Sequence, residues 1–329
     1  MTDMKLRRHV FLLLFGLALF VFTCYLLADT FLIKRVYSVV SDETEIAQTA
    51  IRTAEEPETT VIVTETGVVS SEKSADSSGE TTESERIVTD TAYSDGNISV
   101  SLTTCRLLKT TVYVADVKLS SPDYLKTAFA ENSYGRNITQ KTSSIASSVN
   151  AILAVNGDYY GAQRSGYVIR NGVLYRGTSN GGEDLVIYAD GSFGIIREDE
   201  ITAEELLASG ARDVLSFGPA LVRDGAVAVS ENDEVGKAMA SNPRTAIGII
   251  DDTHYVFIVA DGRTSESEGL SLYELATFMQ TLGVQTAYNL DGGGSSSMVF
   301  LGTVINNPVN GRKSSERSVS DIVYIGYGA

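Results

Sequence analysis

The sequence predicts an α+β fold, a single mixed domain of many short strands with a few packed helices, preceded by an N-terminal transmembrane helix and a disordered stalk. Three observations carry that prediction. The chain opens on a long uncharged apolar run, passes through a segment of Ser, Thr, Glu and Asp, and then changes to short β-rich runs broken by turn residues. Hydrophobic residues make up 43 % of the 329, enough for a sizeable core.

The apolar run comes first. Lys5, Arg7 and Arg8 precede 19 uncharged residues, Val10 to Ala28. As a helix such a run spans roughly 30 Å, about the hydrocarbon core of a bilayer. A cleaved signal peptide has a shorter apolar region of about 7–15 residues, so the reading is an uncleaved signal-anchor. The basic flank places the N-terminus in the cytoplasm and the C-terminal domain outside, a single-pass protein of the cell membrane. The expected boundaries are a cytoplasmic tail 1–9, an anchor 10–33, a Ser/Thr/Glu-rich extracellular stalk 34–96 and a folded domain 97–329.

The formal net charge is −16, but it is concentrated: between Ser41 and Asp95 stand 14 acidic and three basic residues, a net of −11, which leaves −5 for the rest. Such a segment buries too little apolar surface to offset its ordering entropy. The balance also argues against a nucleic-acid partner, which needs clustered Lys and Arg. Cys24 and Cys105 allow no disulfide framework or Cys-based zinc site. The two histidines, His9 and His254, are too few for most histidine-based chemistry.

Within the domain, "TVYVADVKL" (Thr111 to Leu119) is a strand rich in β-branched and aromatic residues. "SSIASSVNAILAV" predicts a helix from Ser143 to about Asn150 and a short buried strand ending at Val155. "DLVIYADGSFGII" predicts a hairpin turning at Asp190-Gly191. Thr202 with Glu205, and Ser271 with Glu274, form capping boxes that open two helices. The second helix, "LYELATFMQTLG", repeats apolar residues at helical spacing and ends at Gly283. "RTAIGIIDDTHYVFIVADG" reads as two strands joined at Asp251-Asp252. The strands "QTAYNL", "SSMVFLG" and "SDIVYIGYG" complete the chain.

Four stretches exceed what turns require. "AVNGDYYG" (Ala154 to Gly161) runs a buried strand into Asn156-Gly157, then Asp158 and two tyrosines. "SNPRTAIG" (Ser241 to Gly248) sets Arg244 at the entrance to an apolar strand, where a guanidinium suits a phosphate or carboxylate. "FIVADGRTSESEGLSL" ends a strand at Asp261 and continues as a polar loop. "YNLDGGGSSSMVF" sets Asp291 against three glycines, which let a backbone approach a ligand closely and form an anion-binding nest. No Lys-Ser/Thr pair or helix follows, so this is neither a P-loop nor a dinucleotide fingerprint.

In order and spacing these four stretches, with "SFGPALVRDG" (Ser216 to Gly225) and "ERSVSDIVYI", resemble the phosphodiester glycosidase family, its bacterial branch in particular. The resemblance covers roughly Ala151 to Ile325. It implies a hydrolase that cleaves sugar-1-phosphodiesters; the anchor and stalk add the expectation that it is membrane-anchored and extracellular, acting on cell-wall or exopolysaccharide glycans. The developing charge on the sugar asks for carboxylates, and the departing phosphate asks for an arginine and N–H groups. The expected catalytic pair is Asp291 and Asp261, sharing the roles of nucleophile or base and of acid or positioning group in either order. Arg244 with Thr245, Asn156, Asp158 and the backbone of Gly292, Gly293, Gly294 and Ser295 are the expected sugar and phosphate contacts. The family has Asn-Gly-Gly-Phe-Phe where this chain has Asn156 to Tyr160, so Asp158 adds a carboxylate.

Three rivals remain. A serine hydrolase built on "GGGSSS" has only His254 for its base. A metallohydrolase would set Ca²⁺ or Mg²⁺ on Asp158, Asp261 and Asp291, although nothing in the sequence requires a cofactor. A non-catalytic protein of polymer binding or exopolysaccharide assembly would use the same anchor and stalk. The expected partners are a glycan or sugar-phosphate substrate and, through the N-terminal helix, the membrane.

Overall fold

The computed structural model describes residues 2–37, 86–233 and 241–328. The middle of the expected stalk, 38–85, lies outside the described residues. Thr2–Phe31 is one helix, and within it Leu12–Asp29 is long and apolar enough to cross a membrane, with none of that stretch buried against protein. The helix takes in most of the nine residues expected as a tail. Both ends of the expected stalk are structured. Arg35–Val36 pairs with Gly135–Arg136. Ile87–Val88 and Ala92–Ser94 are strands of the largest sheet. The domain therefore begins before residue 97, because Tyr93 supplies a buried ring to the main core.

The domain is mostly β-strand, with three α-helices besides the N-terminal one among the described residues. Every ladder among them is antiparallel. The α+β expectation holds in that broad sense, as antiparallel sheets with helices laid on their outer faces. The centre of a nine-stranded sheet runs, strand beside strand, through Thr286–Leu290, Arg244–Asp251, His254–Ala260, Thr110–Leu119 and Ile98–Leu107. A five-stranded sheet holds Met298–Phe300, Leu153–Asn156 and Asp321–Ile325 side by side. A second carries Val168–Arg170, Ala211–Leu215 and Glu183–Tyr188.

Successive residues of a strand point to opposite faces, and here both faces are covered. Ile247, Phe257, Tyr288 and Leu290 turn toward Leu153, Val155, Met298 and Leu215 in the main core. Ala246, Val256, Ile258 and Ala287 turn the other way, onto Leu272, Leu275, Ala276 and Met279 of the helix Leu272–Thr281. That two-sided burial explains why "RTAIGII" and "YVFIVA" read as continuous apolar runs rather than alternating ones. The two capping boxes form as expected: the side chains of Ser271 and Thr202 accept from the backbone N–H of Glu274 and Glu205, whose carboxylates reach back. Gly283, with φ 82°, ends the first of those helices. Ile145 and Ala146 of the helix Thr142–Ser148 cover Ala154, Ile322 and Tyr324.

One buried acid makes stability depend on pH. Asp184 has no exposed surface. Burial, then the neighbouring Glu198 carboxyl, pushes it from 3.8 up to about 9. The folded protein thus holds a proton that the unfolded chain releases. The stabilisation is complete below pH ~4 and is lost as pH rises toward about 9. Asp184→Asn, neutral throughout, flattens that decline. Its melting temperature relative to the parent rises steadily from pH 5 to 9 in a calorimetric series, and parallel curves would contradict the assignment.

Candidate active site

The sheet register gathers three of the expected residues at one edge. Thr245 pairs with Leu290, and Arg244 with Ala260. One step further, Arg244 stands opposite Asp291, while Asp261 follows the end of the neighbouring strand. The two aspartates flank the start of the Arg244–Asp251 strand, two strand spacings or about 10 Å apart along the backbone.

The five-stranded sheet brings Asn156 to the same place. It is fully buried, and all its bonds go to protein: its amide donates to the carbonyl of Asp291 at 2.6 Å and of Gly157 at 3.2 Å. Its carbonyl oxygen accepts from Thr245 Oγ1 at 2.8 Å and from the N–H of Ser297 at 3.2 Å. Asn156 and Thr245 thus form a strut that fixes the backbone on both sides of Asp291.

The glycines are support as well. The N–H of Gly293 donates to the carbonyl of Pro243 at 2.8 Å, and that of Ser295 to the carbonyl of Gly292 at 3.2 Å. Two of the four expected anion donors are therefore used internally, in a turn bracketed by these bonds. Its geometry demands glycine: Gly293 has φ 63°, and a Cβ at Gly292 would meet the Pro243 carbonyl at 2.9 Å.

Asp291 faces a cavity of about 180 Å³, whose walls include Tyr159, Gly161, Arg317 and Ser320. Its Oδ2 accepts from Ser295 Oγ at 2.6 Å and from Arg317 Nη2 at 2.7 Å, and Arg317 Nε also donates to Ser295 Oγ at 2.8 Å. Asp291 is mostly covered, with 13 % of its side chain exposed, whereas Arg317 keeps 45 %. Burial raises the Asp291 pKa above the usual carboxylate range; Arg317 and Ser295 pull the other way. Tyr159 packs edge-on against Phe217, 5.1 Å between ring centres.

Arg317 is the functional candidate that the residue-by-residue reading omits, although it lies in the quoted stretch "ERSVSDIVYI". Arg244 is 2 % exposed, and its Nε donates to the carbonyl of Leu270 at 2.9 Å. The guanidinium on the wall of the Asp291 cavity is that of Arg317. Asp261 accepts from Asn306 Nδ2 at 3.1 Å, from the N–H of Asn307 at 3.0 Å and from Tyr113 OH at 3.3 Å. Burial raises its pKa, against those three donors.

Asp158 departs furthest from expectation. It is turned inward, fully buried, with Oδ2 on Arg170 Nη2 at 2.9 Å and on the N–H of Ser216 at 3.0 Å, and it makes no wall of the Asp291 cavity. The carboxylate standing at a family glycine position is balanced from within by an arginine. Among the described residues no group of three His, Cys, Asp or Glu side chains is placed to hold a metal ion, so Asp158, Asp261 and Asp291 are not brought together as a ligand set. The serine-hydrolase reading lacks its base among the described residues: Ser295 Oγ donates to Asp291 and accepts from Arg317, the Oγ atoms of Ser296 and Ser297 have no hydrogen-bond partner, and His254 Nε2 lies 2.9 Å from Asp116 Oδ2.

The family model for phosphodiester glycosidases matches residues 149–326, just over half of the chain and the segment that contains Asn156, Asp261, Asp291 and Arg317. The chain belongs to the phosphodiester glycosidase family. It is 31 % identical over 212 residues to the SPβ prophage-derived protein YomE of Bacillus subtilis, covering 62 % of this chain and 32 % of that one. It is 32 % identical over 172 residues to human N-acetylglucosamine-1-phosphodiester α-N-acetylglucosaminidase, covering 47 % and 33 %. The chain thus spans about a third of the length of the curated relatives it matches. In fold it is similar to the zebrafish form of that glycosidase, a catalytic domain auto-inhibited by its pro-peptide. The TM-score is 0.55 at 22 % identity, covering 69 % of this chain and 82 % of the other.

Proposed function

We propose that this phosphodiester glycosidase family member is a hydrolase of sugar-1-phosphodiesters, held at the outer face of a membrane by its N-terminal helix and acting on cell-wall or exopolysaccharide glycans. One observation carries the reading: a mostly buried carboxylate, Asp291, and a half-exposed arginine, Arg317, share a hydrogen-bonded corner of one small cavity. At about 180 Å³ the cavity is smaller than the roughly 300–1,000 Å³ of common ligand clefts, which suits a single sugar ring. Tyr159 offers that ring an aromatic wall.

Asp291 stabilises the positive charge that develops at the anomeric carbon, as nucleophile or as base. Arg317 holds the phosphate and helps it leave. A phosphomonoester's second pKa is about 6, so its oxygen departs with little proton donation. Asp261 does not line the Asp291 cavity; bonded to Asn306 and to the N–H of Asn307, it is the positioning group of the pair. Nothing in this scheme requires a metal; added Ca²⁺ or Mg²⁺ should leave the rate unchanged.

The test is incubation of the purified full chain with UDP-N-acetylglucosamine and with methyl diesters of several sugar 1-phosphates, reading free sugar. Release establishes the activity. Binding of the diesters without release favours the non-catalytic polymer-binding alternative. Arg317→Ala is expected to lower kcat/KM by about 10²-fold. It also removes the cation that opposes the burial of Asp291, so the Asp291 pKa climbs further and the acid limb of the pH–rate profile moves to higher pH. An unmoved limb would detach Arg317 from Asp291.

A further inference from the structure

A second cavity, of about 500 Å³, lies where the N-terminal helix meets the domain. Its wall holds Arg35, Arg136, Arg164 and Arg176, one acid (Asp29) and three tyrosines, a local charge of +3 from four cations and one anion. Asp29 is also the last residue of the stretch long enough to cross a membrane. The segment that follows the helix is fastened in place. Arg35–Val36 pairs with Gly135–Arg136, the N–H of Tyr37 donates to the carbonyl of Tyr134 at 3.0 Å, and Asn137 Nδ2 donates to that of Ile33 at 3.0 Å. The pairing needs Gly135, where a Cβ would collide with the carbonyl of Arg35.

The arginines divide into two pairs. Arg35 is bound to Asp29, and Arg176 is spent on the carbonyls of Tyr160, Gln163 and Gly166. Arg136 and Arg164 have no acidic partner among the described residues, and the Nε of Arg136, hidden from solvent, has no acceptor. Aromatic walls, a net positive charge and two arginines without acidic partners define an anion site, and guanidinium forks suit phosphate.

We infer that this cavity binds the phosphate of an anionic lipid at the membrane surface, clamped by Arg136 and Arg164. The inference rests on the membrane reading of the helix, and not on Asp291 being catalytic. The lipid phosphate is the ligand that the position of Asp29 favours, because the cavity opens where the apolar span stops. It shares a wall with the Asp291 cavity: the segment that runs from Tyr159 through Ala162 continues as Gln163 and Arg164. A lipid held there fixes the orientation of the Asp291 cavity over the bilayer.

The experiment is native mass spectrometry of the full chain released from a neutral detergent, with phosphatidylglycerol, phosphatidylcholine or water-soluble glycerophosphoglycerol added. Bound phosphatidylglycerol is expected, with little phosphatidylcholine. Occupancy should fall about tenfold or more in Arg136→Ala/Arg164→Ala, as the loss of charge-assisted bonds to one phosphate implies, and be unchanged in Asp291→Asn. Arg164→Glu, at an exposed position, should act the same way with the melting temperature retained. Parental occupancy in both arginine variants would overturn the site. Glycerophosphoglycerol binding as tightly as the lipid would overturn the lipid source and give the cavity to a soluble polymer phosphate.

Discussion

Asp291→Asn should lower kcat for sugar release by about 10³-fold or more while the protein keeps its fold. The substitution is isosteric and alters only charge and proton affinity. An amide oxygen at the same place still accepts from Arg317 Nη2 and Ser295 Oγ, which lie 2.7 and 2.6 Å from the carboxylate. The carbonyl of residue 291 still receives the Asn156 amide. The melting temperature should be unchanged or slightly higher, because a charge that burial disfavours has been removed. What the variant loses is the negative charge beneath the anomeric carbon, and a neutral amide neither stabilises an oxocarbenium-like centre nor attacks it. Asp261→Asn should cost less, about 10- to 10²-fold, because Asp261 does not line the Asp291 cavity and acts through Asn306 and Asn307. Free-sugar assays on both variants with one sugar 1-phosphate methyl diester decide the ranking. Near-parental turnover in Asp291→Asn would remove the assignment altogether.

Much of this site was legible in the sequence because its parts sit where local patterns change. Asp261 and Asp291 each end an apolar run, and Asn156 ends another, so strand ends marked by turn chemistry were visible without any contact map. What was not legible is direction. Asp158 and Asp291 look alike as carboxylates beside glycines, yet one points into the protein onto Arg170 and the other into a cavity beside Arg317. No periodicity separates them, because the difference is made by partners 12 and 26 residues away. The same holds for the two arginines. Arg244 begins a central strand, and its neighbours bury it; Arg317 sits in a loop, its backbone N–H on the carbonyl of Gly294 at 3.1 Å, and stays half-open. The domain's early start was hidden for a compositional reason: Tyr93 is one apolar ring at the end of a strongly acidic stretch.

Arg170→Met should be the most destabilising single substitution in the domain. Arg170 is 1 % exposed, and its guanidinium joins Asp158 Oδ2 at 2.9 Å to Asp321 Oδ2 at 2.6 Å, with a further bond to the carbonyl of Ile169 at 3.0 Å. These three residues come from different places: Arg170 ends a strand of one five-stranded sheet, Asp321 begins a strand of the other, and Asp158 follows the strand that ends at Asn156. Removing one partner of a buried ion pair costs about 3–5 kcal/mol, since both carboxylates are then left without their cation. In a domain of this size that lowers the melting temperature by on the order of 10 °C. Part of the loss should be recovered at low pH. Burial and Asp158 already push the Asp321 pKa upward against Arg170; without the guanidinium it climbs further, so protonation relieves the cluster as pH falls. Adding Asp158→Asn and Asp321→Asn to the variant should restore stability at neutral pH, as replacing a whole buried ionic group with neutral ones often does. The N–H of Asp291 donates to the carbonyl of Gly157 at 3.2 Å, and that of Gly157 to the carbonyl of Asp321 at 3.0 Å. Loosening the cluster therefore reaches Asp291 through two backbone bonds. The triple variant should regain its melting temperature before it regains kcat, and simultaneous recovery of both would mean that the cluster holds the fold without positioning Asp291.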